Sequence, residues 1–442
     1  MRNSLIATLI AGAFLSANAQ AVDLLQVYKD ALANDAQFAS ARATLAAGEE
    51  KSTQGRAGLL PSVALTGSYA RTGLDVYLQD PPNPDFSMNY NTSGYTLSLS
   101  QPLFRWANWE TYQQSKLSVA LSEAQFAQAQ QDLIVRVAQA YFDVLGAQDT
   151  LDSVQANKVA ITEQLASAKR NFEVGTATIT DTHEAQARYD LAVAQEFASQ
   201  SDLEIKRSAL QQIIGKATGD LAPLRTGVKL TSPEPAQIDK WVASAEAQNY
   251  GVIGQQFALE IAQREIKRNR AGHMPTLDLV ASRNHSNQGG ALLTSPANVS
   301  NANSIGVQWV IPIFSGFAID SKVRESIALE DKARYDLENA RRTAAQAARQ
   351  SYLGVNSGLA QVTALEAAEV SSQSALDSNK LGYQVGVRIN IDVLNAQQQV
   401  YSTLQSLAKA RYDTLVNGLR LKSAAGTLKE DDLAQINALL KH

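Results

Sequence analysis

The side chains most often used for chemistry are few in this sequence and lie far apart. The four histidines, at positions 183, 273, 285 and 442, do not approach metal-ligand spacing, and there is no cysteine. His183-Glu184 lacks the second histidine of a zinc-binding helix. The sequence also has no phosphate-binding loop, dinucleotide fingerprint or nucleophile elbow. We therefore expect no enzymatic activity, no cofactor and no bound metal.

Two aspartates stand out by their position behind glycine-containing turns. Asp181 follows Val174-Gly175-Thr176, and Asp392 follows Val385-Gly386-Val387. A carboxylate at a helix start accepts a hydrogen bond from a free backbone N–H. Their spacing therefore predicts that both aspartates are N-caps, and it favours a solvated turn position for Arg388.

These turns belong to a duplication of nearly the whole chain. Arg56-Ala57-Gly58-Leu59-Leu60-Pro61 returns as Arg270-Ala271-Gly272-His273-Met274-Pro275, and Phe172-Glu173-Val174-Gly175 returns as Tyr383-Gln384-Val385-Gly386. The repeat is far longer than the roughly 20 to 50 residues of a solenoid unit. Two copies of one large module were fused, and each copy is expected to build half of a pseudosymmetric structure.

The duplication and the composition divide the chain into five segments. Residues 1–21 have the layout of a secretory signal peptide: Arg2, a short apolar run and small residues at the cleavage site. The alternative, a membrane anchor, is disfavoured because the apolar run is shorter than a spanning helix needs. The remaining segments are the first repeat (22–215), a proline-containing connector (216–237), the second repeat (238–426) and a C-terminal tail (427–442).

Each repeat is predicted to be mainly helical. Residues 105–171 contain no proline, only one glycine and many strong helix formers, and 315–382 are likewise free of proline and rich in helix formers. At 1.5 Å per residue, each stretch would form a helix about 100 Å long. Shorter helices are expected to return from the turns, over 182–214 and 393–424, and single helices to open each repeat, over 24–55 and 240–269.

Between opening helix and long helix, each repeat carries two segments of alternating polarity. Val63, Leu65 and Tyr69 alternate with polar or small residues, and three further segments around Leu97, Leu279 and Val307 do the same. We predict four strands of about ten residues, with Pro61, Pro102, Pro275 and Pro312 at their ends. Loops are expected over 74–92 and 287–303.

The strands fit a membrane-spanning barrel better than an ordinary half-buried sheet. Their length matches the 9 to 11 residues of a barrel strand, and aromatic side chains that suit a membrane interface lie near their ends. Four strands cannot close a barrel, so the chain must oligomerise to span a membrane. The aromatic residues concerned are Tyr69, Tyr95, Trp106, Trp109 and Trp309.

The formal net charge of −4 is small for 442 residues and argues against a nucleic-acid partner. Two alternatives to a membrane pore remain at this point. A periplasmic coiled-coil spacer with soluble hairpins is a structural alternative. An exported hydrolase is a more distant one, because no cluster of His, Asp and Ser residues is present.

The order and doubling of several motifs resemble the TolC family of outer-membrane channel-tunnel proteins. The motifs include Leu24-Leu25-Gln26-Val27-Tyr28, Gln101-Pro102-Leu103-Phe104 and Lys422-Ser423-Ala424-Ala425-Gly426-Thr427-Leu428. The resemblance implies a mixed, mainly α fold: a homotrimer with a 12-stranded β-barrel in the outer membrane and a periplasmic tube of long antiparallel helices. The connector and the tail would form an equatorial band around this tube.

The resemblance also implies a function and partners. The trimer would be the passive exit duct for drugs or polypeptides in an efflux or type I secretion system. A periplasmic adaptor, contacting the turns at 174–178 and 385–390, would connect the duct to an inner-membrane pump or ABC transporter. The sequence itself names neither cargo nor pump.

Similarity to the family further implies site residues at the turns. The periplasmic gate maps onto Thr180 and Asp181 in the first repeat and onto Tyr383 and Arg388 in the second, with Asp181 able to accept a hydrogen bond from the Tyr383 hydroxyl. Asp392 would form a threefold carboxylate ring that selects cations. The family often has a second acidic ring one helical turn further on, where this sequence has Asn395. This departure halves the expected charge at the entrance.

Overall fold

The computed structural model describes residues 21–77, 86–290 and 296–441, which form two compact units. The first unit contains the described residues up to Ala43, then Gln125–Ile253, then the described residues from Asn339 onward. The second contains the described residues of Thr44–Ala124 and Gly254–Glu338. Each unit thus takes segments from both repeats. The predicted signal peptide, apart from its last residue, lies outside the described residues.

The predicted long and returning helices are confirmed. The long helices have 68 and 67 residues, and each is followed after a short turn by a helix of about half its length. The helices are α1 (Leu24–Asn34), α2 (Ala36–Ala57), α3 (Trp106–Glu173), α4 (Ile179–Ile214), α5 (Ile238–Gln248), α6 (Tyr250–Arg270), α7 (Ala318–Gln384), α8 (Asn390–Ala424) and α9 (Glu430–Asn437).

The prediction of one opening helix per repeat is wrong, because each is interrupted by an extended residue. Asp35 separates α1 from α2, and Asn249 separates α5 from α6. The Asp35 carboxylate accepts the backbone N–H of Phe38 at 2.6 Å, and the Asn249 side-chain oxygen accepts that of Gly251 at 2.9 Å. Both side chains therefore cap a new helix inside what the sequence pattern presents as a single one.

Among the described residues, four antiparallel strands form one sheet in the order β1-β2-β3-β4, which confirms the number predicted. They are longer than expected, so the loops between them are shorter than 74–92 and 287–303. Pro102 was expected at a strand end but lies inside the second strand, where the register shifts between Pro102 and Phe104. The strands are β1 (Ser62–Val76), β2 (Phe86–Phe104), β3 (Thr276–Gln288) and β4 (Asn298–Val310).

The register separates the sheet into two faces of different polarity. Leu65 pairs with Leu97 on one face, and both side chains are exposed. On the other face Ser98 pairs with Ser282, whose hydroxyl lies 2.8 Å from that of Ser304. Because directly opposed residues share a face, one face is largely apolar and the other is lined by small polar side chains. The apolar face consists mainly of Val63, Leu65, Leu97, Leu99, Ala281, Ile305, Val307 and Trp309.

The main hydrophobic core of the first unit is built around aromatic rings on α3 and α8. Phe142 is buried and stacks on Tyr412 with ring centroids 5.4 Å apart. The Tyr412 hydroxyl donates to Asp149 Oδ2 at 2.6 Å. Tyr141, also fully buried, packs edge-on against Phe142. Each buried phenol hydroxyl thus has a hydrogen-bond acceptor, as burial requires.

Three distant stretches of chain meet beside this core. Val22 forms a parallel bridge with Leu221, and Leu224 forms an antiparallel bridge with Leu440. The Tyr141 hydroxyl donates to the carbonyl oxygens of Ala222, at 2.8 Å, and Val22, at 3.2 Å. The start of the first repeat, the connector and the tail are therefore fastened to one another and to α3.

Candidate functional site

The two turns between long and returning helices have the same backbone geometry. Gly175 and Gly386 adopt φ values of 74° and 77°, a left-handed conformation that glycine adopts at little cost. The N–H of Thr176 donates to Asn171 at 2.8 Å, and the N–H of Val387 donates to Gly382 at 2.9 Å. The two long helices therefore end in turns of the same type. Corresponding residues of the two repeats make the same backbone hydrogen bonds in these turns.

The helix that follows the first turn begins earlier than predicted. Thr178, not Asp181, is the N-cap of α4, and its hydroxyl oxygen accepts the N–H of Asp181 at 3.2 Å. Asp181 Oδ2 in turn accepts the N–H of Thr178 at 2.9 Å and its hydroxyl at 2.7 Å. This reciprocal pair is a capping box. The Asp181 carboxylate thereby stabilises its own helix start.

The second turn lacks this arrangement. Ile389 is the N-cap of α8 and provides no side-chain acceptor, so the predicted cap at Asp392 is also wrong. The N–H of Asp392 donates to the Ile389 carbonyl oxygen at 3.1 Å. Its carboxylate lies 3.7 Å from the guanidinium of Arg388. Asp392 therefore occupies the position of Asp181 in the duplicated turn but has an exposed cation as its neighbour.

Tyr383 connects the ends of the two long helices. Its phenolic oxygen accepts a hydrogen bond from Asn171 Nδ2 at 3.1 Å, and its ring packs against the cluster that contains Leu376 and Val393. Within the described part of one chain, no hydrogen bond joins Tyr383 to Asp181. In the first repeat the equivalent position is Phe172, which is exposed and has no hydroxyl. The first repeat therefore has no counterpart of the hydrogen bond that the Tyr383 hydroxyl makes in the second.

Amide side chains, of which Asn390 is buried, connect the first turns of α4 and α8. Asn390 is fully buried; its amide nitrogen donates to the Asp181 carbonyl oxygen at 3.4 Å, and its oxygen accepts from the Gln164 side chain. Arg188 donates to Asn395 Oδ1 at 2.9 Å. Asp181 is therefore linked to the second repeat through its backbone.

The other predicted site residues lie at the surface. Thr180 is exposed in the first turn of α4. Val174, Val385 and Val387 leave most of their surface exposed on the turns. In the second unit, Tyr69, Tyr95 and Trp309 lie on strands, whereas Trp106 and Trp109 lie in the first turn of α3. All five aromatic side chains are exposed.

Sequence reasoning missed the partners of the predicted residues. Thr178 follows the Thr-x-x-Asp spacing of a capping box, a pattern that would have located the start of α4. Asn171 and Asn390 carry no such signal, because asparagine is common near turns for several reasons. Their roles depend on contacts with residues more than two hundred positions away.

Two kinds of feature are absent from the described residues. None of the described helices is long and apolar enough to cross a membrane. Among the described residues, no three His, Cys, Asp or Glu side chains are grouped closely enough to hold a metal ion.

Known proteins resemble the chain along almost its full length. The sequence profile of the outer membrane efflux protein family matches residues 27–216 and 241–427. The chain is 34% identical over 442 residues to the alkaline protease secretion protein AprF of Pseudomonas aeruginosa, covering 98% of this chain and 90% of that protein. It is 32% identical over 434 residues to the outer membrane protein TolC of Escherichia coli, covering 96% and 86%. The outer membrane channel CmeC of Campylobacter jejuni, of known crystal structure, has a similar fold, with a TM-score of 0.78 at 19% identity over 95% of this chain and 90% of that one.

The chain therefore belongs to the outer membrane efflux protein family. The resemblance to TolC predicted from the sequence is confirmed. The chain is a transport protein of the outer membrane and acts as the exit duct of an export system. The periplasmic spacer without a pore is not favoured.

Proposed function

We propose that the chain assembles as a homotrimer, with twelve strands closing a β-barrel in the outer membrane and the helices forming a periplasmic tube. The observation that carries the proposal is the open sheet. Within the described residues, β1 and β4 are edge strands, and one face is a band of exposed apolar side chains. Free edges and an exposed apolar band are costly in water. Pairing β4 of one protomer with β1 of the next removes the free edges, and the hydrocarbon of the outer membrane covers the apolar band.

Mass and conductance together test this proposal. The protein is purified from outer-membrane extracts in detergent, its mass is determined, and it is recorded in planar bilayers. A trimer that gives discrete, cation-preferring conductance steps is the expected result. A monomer without conductance would refute the proposed barrel.

The turns are proposed to form the periplasmic gate. The residues concerned lie on the turns or on the helix ends beside them: Thr180, Asp181, Tyr383 and Arg388. Tyr383 already accepts a hydrogen bond from Asn171, on the other long helix. Arg388 is well exposed, and its contact with Asp392 is long at 3.7 Å. An exposed ion pair of this kind contributes about 0 to 1 kcal/mol. Arg388 therefore keeps donors available for an acceptor on a neighbouring protomer.

Asp392 is proposed to line the entrance as a ring of three carboxylates that favours cations. Asn395, in the next turn of α8, is neutral and accepts a hydrogen bond from Arg188. The second ring is therefore neutral with a cation beside it. We expect a moderate cation preference rather than tight cation blockade.

The export system itself is proposed by analogy. The relative AprF is described by its name as an alkaline protease secretion protein, which favours secreted polypeptide as one cargo of this chain. An inner-membrane pump or ABC transporter would supply the energy. A periplasmic adaptor would contact the exposed valines on the turns. Co-purification of the chain with an adaptor, lost on substituting Val174 and Val387 by aspartate, tests this contact.

A further inference from the structure

An arginine lies in the apolar face of the sheet. Arg283 in β3 is directly opposite Leu97 in β2 and Asn303 in β4, and Leu97 is in turn opposite Leu65. Directly opposed residues share a face, so Arg283 belongs to the exposed apolar face and not to the serine-lined one. Arg283 is exposed and has no hydrogen bond or ion pair within the described residues.

The level of Arg283 along the strand is informative. It lies six residues, or about 20 Å, beyond Leu277, which is opposite Trp309 at the helix end of the sheet. Two residues further along β3, His285 stacks on Tyr95 with ring centroids 4.9 Å apart. Trp309 therefore marks an aromatic level at the helix end of the sheet, and Tyr95 marks a second one nearer the loop end. Arg283 lies between them, two residues from the level of Tyr95.

A cation at this place needs an anion from the membrane. A lipid-facing arginine costs about 2 to 4 kcal/mol at the middle of a bilayer but little near its interface. The long side chain can extend toward the interface and leave its apolar stem in the band. Its strand neighbours on the same face, Leu97 and Asn303, carry no negative charge.

The surroundings favour a sugar-bearing lipid. Asn303 is opposite Arg283, and Asn301 is opposite His285 and lies 2.8 Å from its Nδ1 atom. Amide side chains donate to and accept from hydroxyl groups, while guanidinium binds phosphate through two parallel hydrogen bonds. The loop end of the strands is directed away from the helices and, in the proposed channel, toward the outer leaflet.

The geometry points to Arg283 and His285, with Asn301 and Asn303, as a binding site for a phosphorylated glycolipid of the outer leaflet. This inference rests on the proposed function, because the outer-leaflet position follows from the orientation of the barrel. The occupant is one glycolipid phosphate per protomer. Arg283 binds the phosphate, and the two asparagines bind sugar hydroxyl groups.

Native mass spectrometry of the full-length trimer tests the site. The detergent-purified protein is titrated with diphosphorylated lipid A, with its dephosphorylated form and with phosphatidylglycerol. We expect the diphosphorylated glycolipid to bind most tightly. Arg283→Gln should weaken it at least about tenfold, because it removes both charge-assisted hydrogen bonds to the phosphate, and Arg283→Lys, which keeps the charge, should weaken it less. Arg349→Gln, which removes an exposed arginine of α7 in the other unit, is the matched control.

Several results would overturn the inference. They are equal binding by Arg283→Gln and the unaltered protein, equal binding of phosphatidylglycerol, and an equal loss with Arg349→Gln. Conductance of the same samples separates this inference from the proposed function. A conducting trimer without glycolipid preference refutes the lipid site alone, whereas a preparation that neither trimerises nor conducts refutes the channel. If Arg283→Gln does not assemble, glycolipid binding by Arg283→Lys still tests the site, because equal binding by Arg283→Lys and the unaltered protein would refute it.

Discussion

Asn171 donates a hydrogen bond to the phenolic oxygen of Tyr383 at 3.1 Å, which joins the last turns of the two long helices directly before they reverse. The hydrogen bond crosses between the two repeats. A neutral hydrogen bond of this kind contributes about 0.5 to 1.5 kcal/mol. This is enough to shift a balance between a closed and an open entrance, but not enough to fix it.

Removing this bond is expected to raise single-channel conductance. Tyr383→Phe deletes the acceptor, and Asn171→Ala deletes the donor, so each should loosen α7 from α3. Because both act on one contact, the double variant should gain less than the sum of the two. Adding Arg388→Ser to Tyr383→Phe should raise conductance further.

Tyr401→Phe is the matched control for the lost hydroxyl. Tyr401 lies on α8 and makes no side-chain hydrogen bond within the described residues. Its conductance should equal that of the unaltered channel. Unchanged conductance of Tyr383→Phe in an intact trimer would remove Tyr383 from the gate.

The unequal caps of the two turns predict opposite responses to exchanged residues. Thr178→Val removes the capping box of α4, and Ile389→Thr introduces a capping hydroxyl with Asp392 already three residues on. Each change is worth about 1 kcal/mol, in opposite directions. Hydrogen exchange in the first turn should become about fivefold faster in α4 and about fivefold slower in α8. Equal exchange in both turns of the unaltered protein would contradict the asymmetry.

Charge at the entrance should be adjustable at two positions. Asp392→Asn should reduce the cation preference measured by reversal potential. Asn395→Asp should increase it only modestly, because Arg188 is already 2.9 Å from this side chain and would pair with the new carboxylate. Arg188→Gln combined with Asn395→Asp should reveal the full effect. An unchanged cation preference in Asp392→Asn would place the selective region elsewhere in the channel.

The partly buried Asp149, which is paired with the buried Tyr412, predicts a pH dependence of stability. Burial raises the pKa of Asp149 above its ordinary 3.8, although the hydrogen bond from Tyr412 partly opposes the shift. The folded protein therefore binds a proton more readily than the unfolded chain. Between the ordinary pKa and the raised one, stability should fall as pH rises.

Two substitutions test this pair. Asp149→Asn should keep the acceptor for Tyr412 and flatten the pH dependence of the free energy of unfolding. Tyr412→Phe should cost about 1 to 3 kcal/mol at neutral pH, because it leaves a partly buried carboxylate without its donor. Urea unfolding at several pH values gives both quantities. An unchanged slope in Asp149→Asn would assign the pH dependence to other groups.

The elements that the sequence predicted well are those with a long, regular pattern. The proline-free stretches predicted α3 and α7 to within a few residues, and alternation predicted four strands. The helix breaks at Asp35 and Asn249 were not predicted, because the pattern does not show whether a polar residue within it faces solvent or caps a new helix. Breaks of this kind depend on local backbone geometry rather than on periodicity.

The candidate site was predictable in outline only. Gly175 and Gly386 located the turns, since a left-handed turn residue is usually glycine. The partners of Tyr383 and Asn395 were not predictable, because Asn171 and Arg188 lie on helices that approach them only in the folded chain. The fold determines which of many polar residues come within bonding distance.

The bridges of Val22 to Leu221 and of Leu224 to Leu440 bring early and late parts of the sequence together beside the core. A ribosome produces Val22 long before Leu440, so these bridges cannot all form until the second repeat has been made and delivered. Until then the backbone at Leu224 lacks its partner strand, and the space filled by the buried Leu433 and Leu440 stays open. The arrival of Leu433 and Leu440 is therefore the event that completes this part of the core.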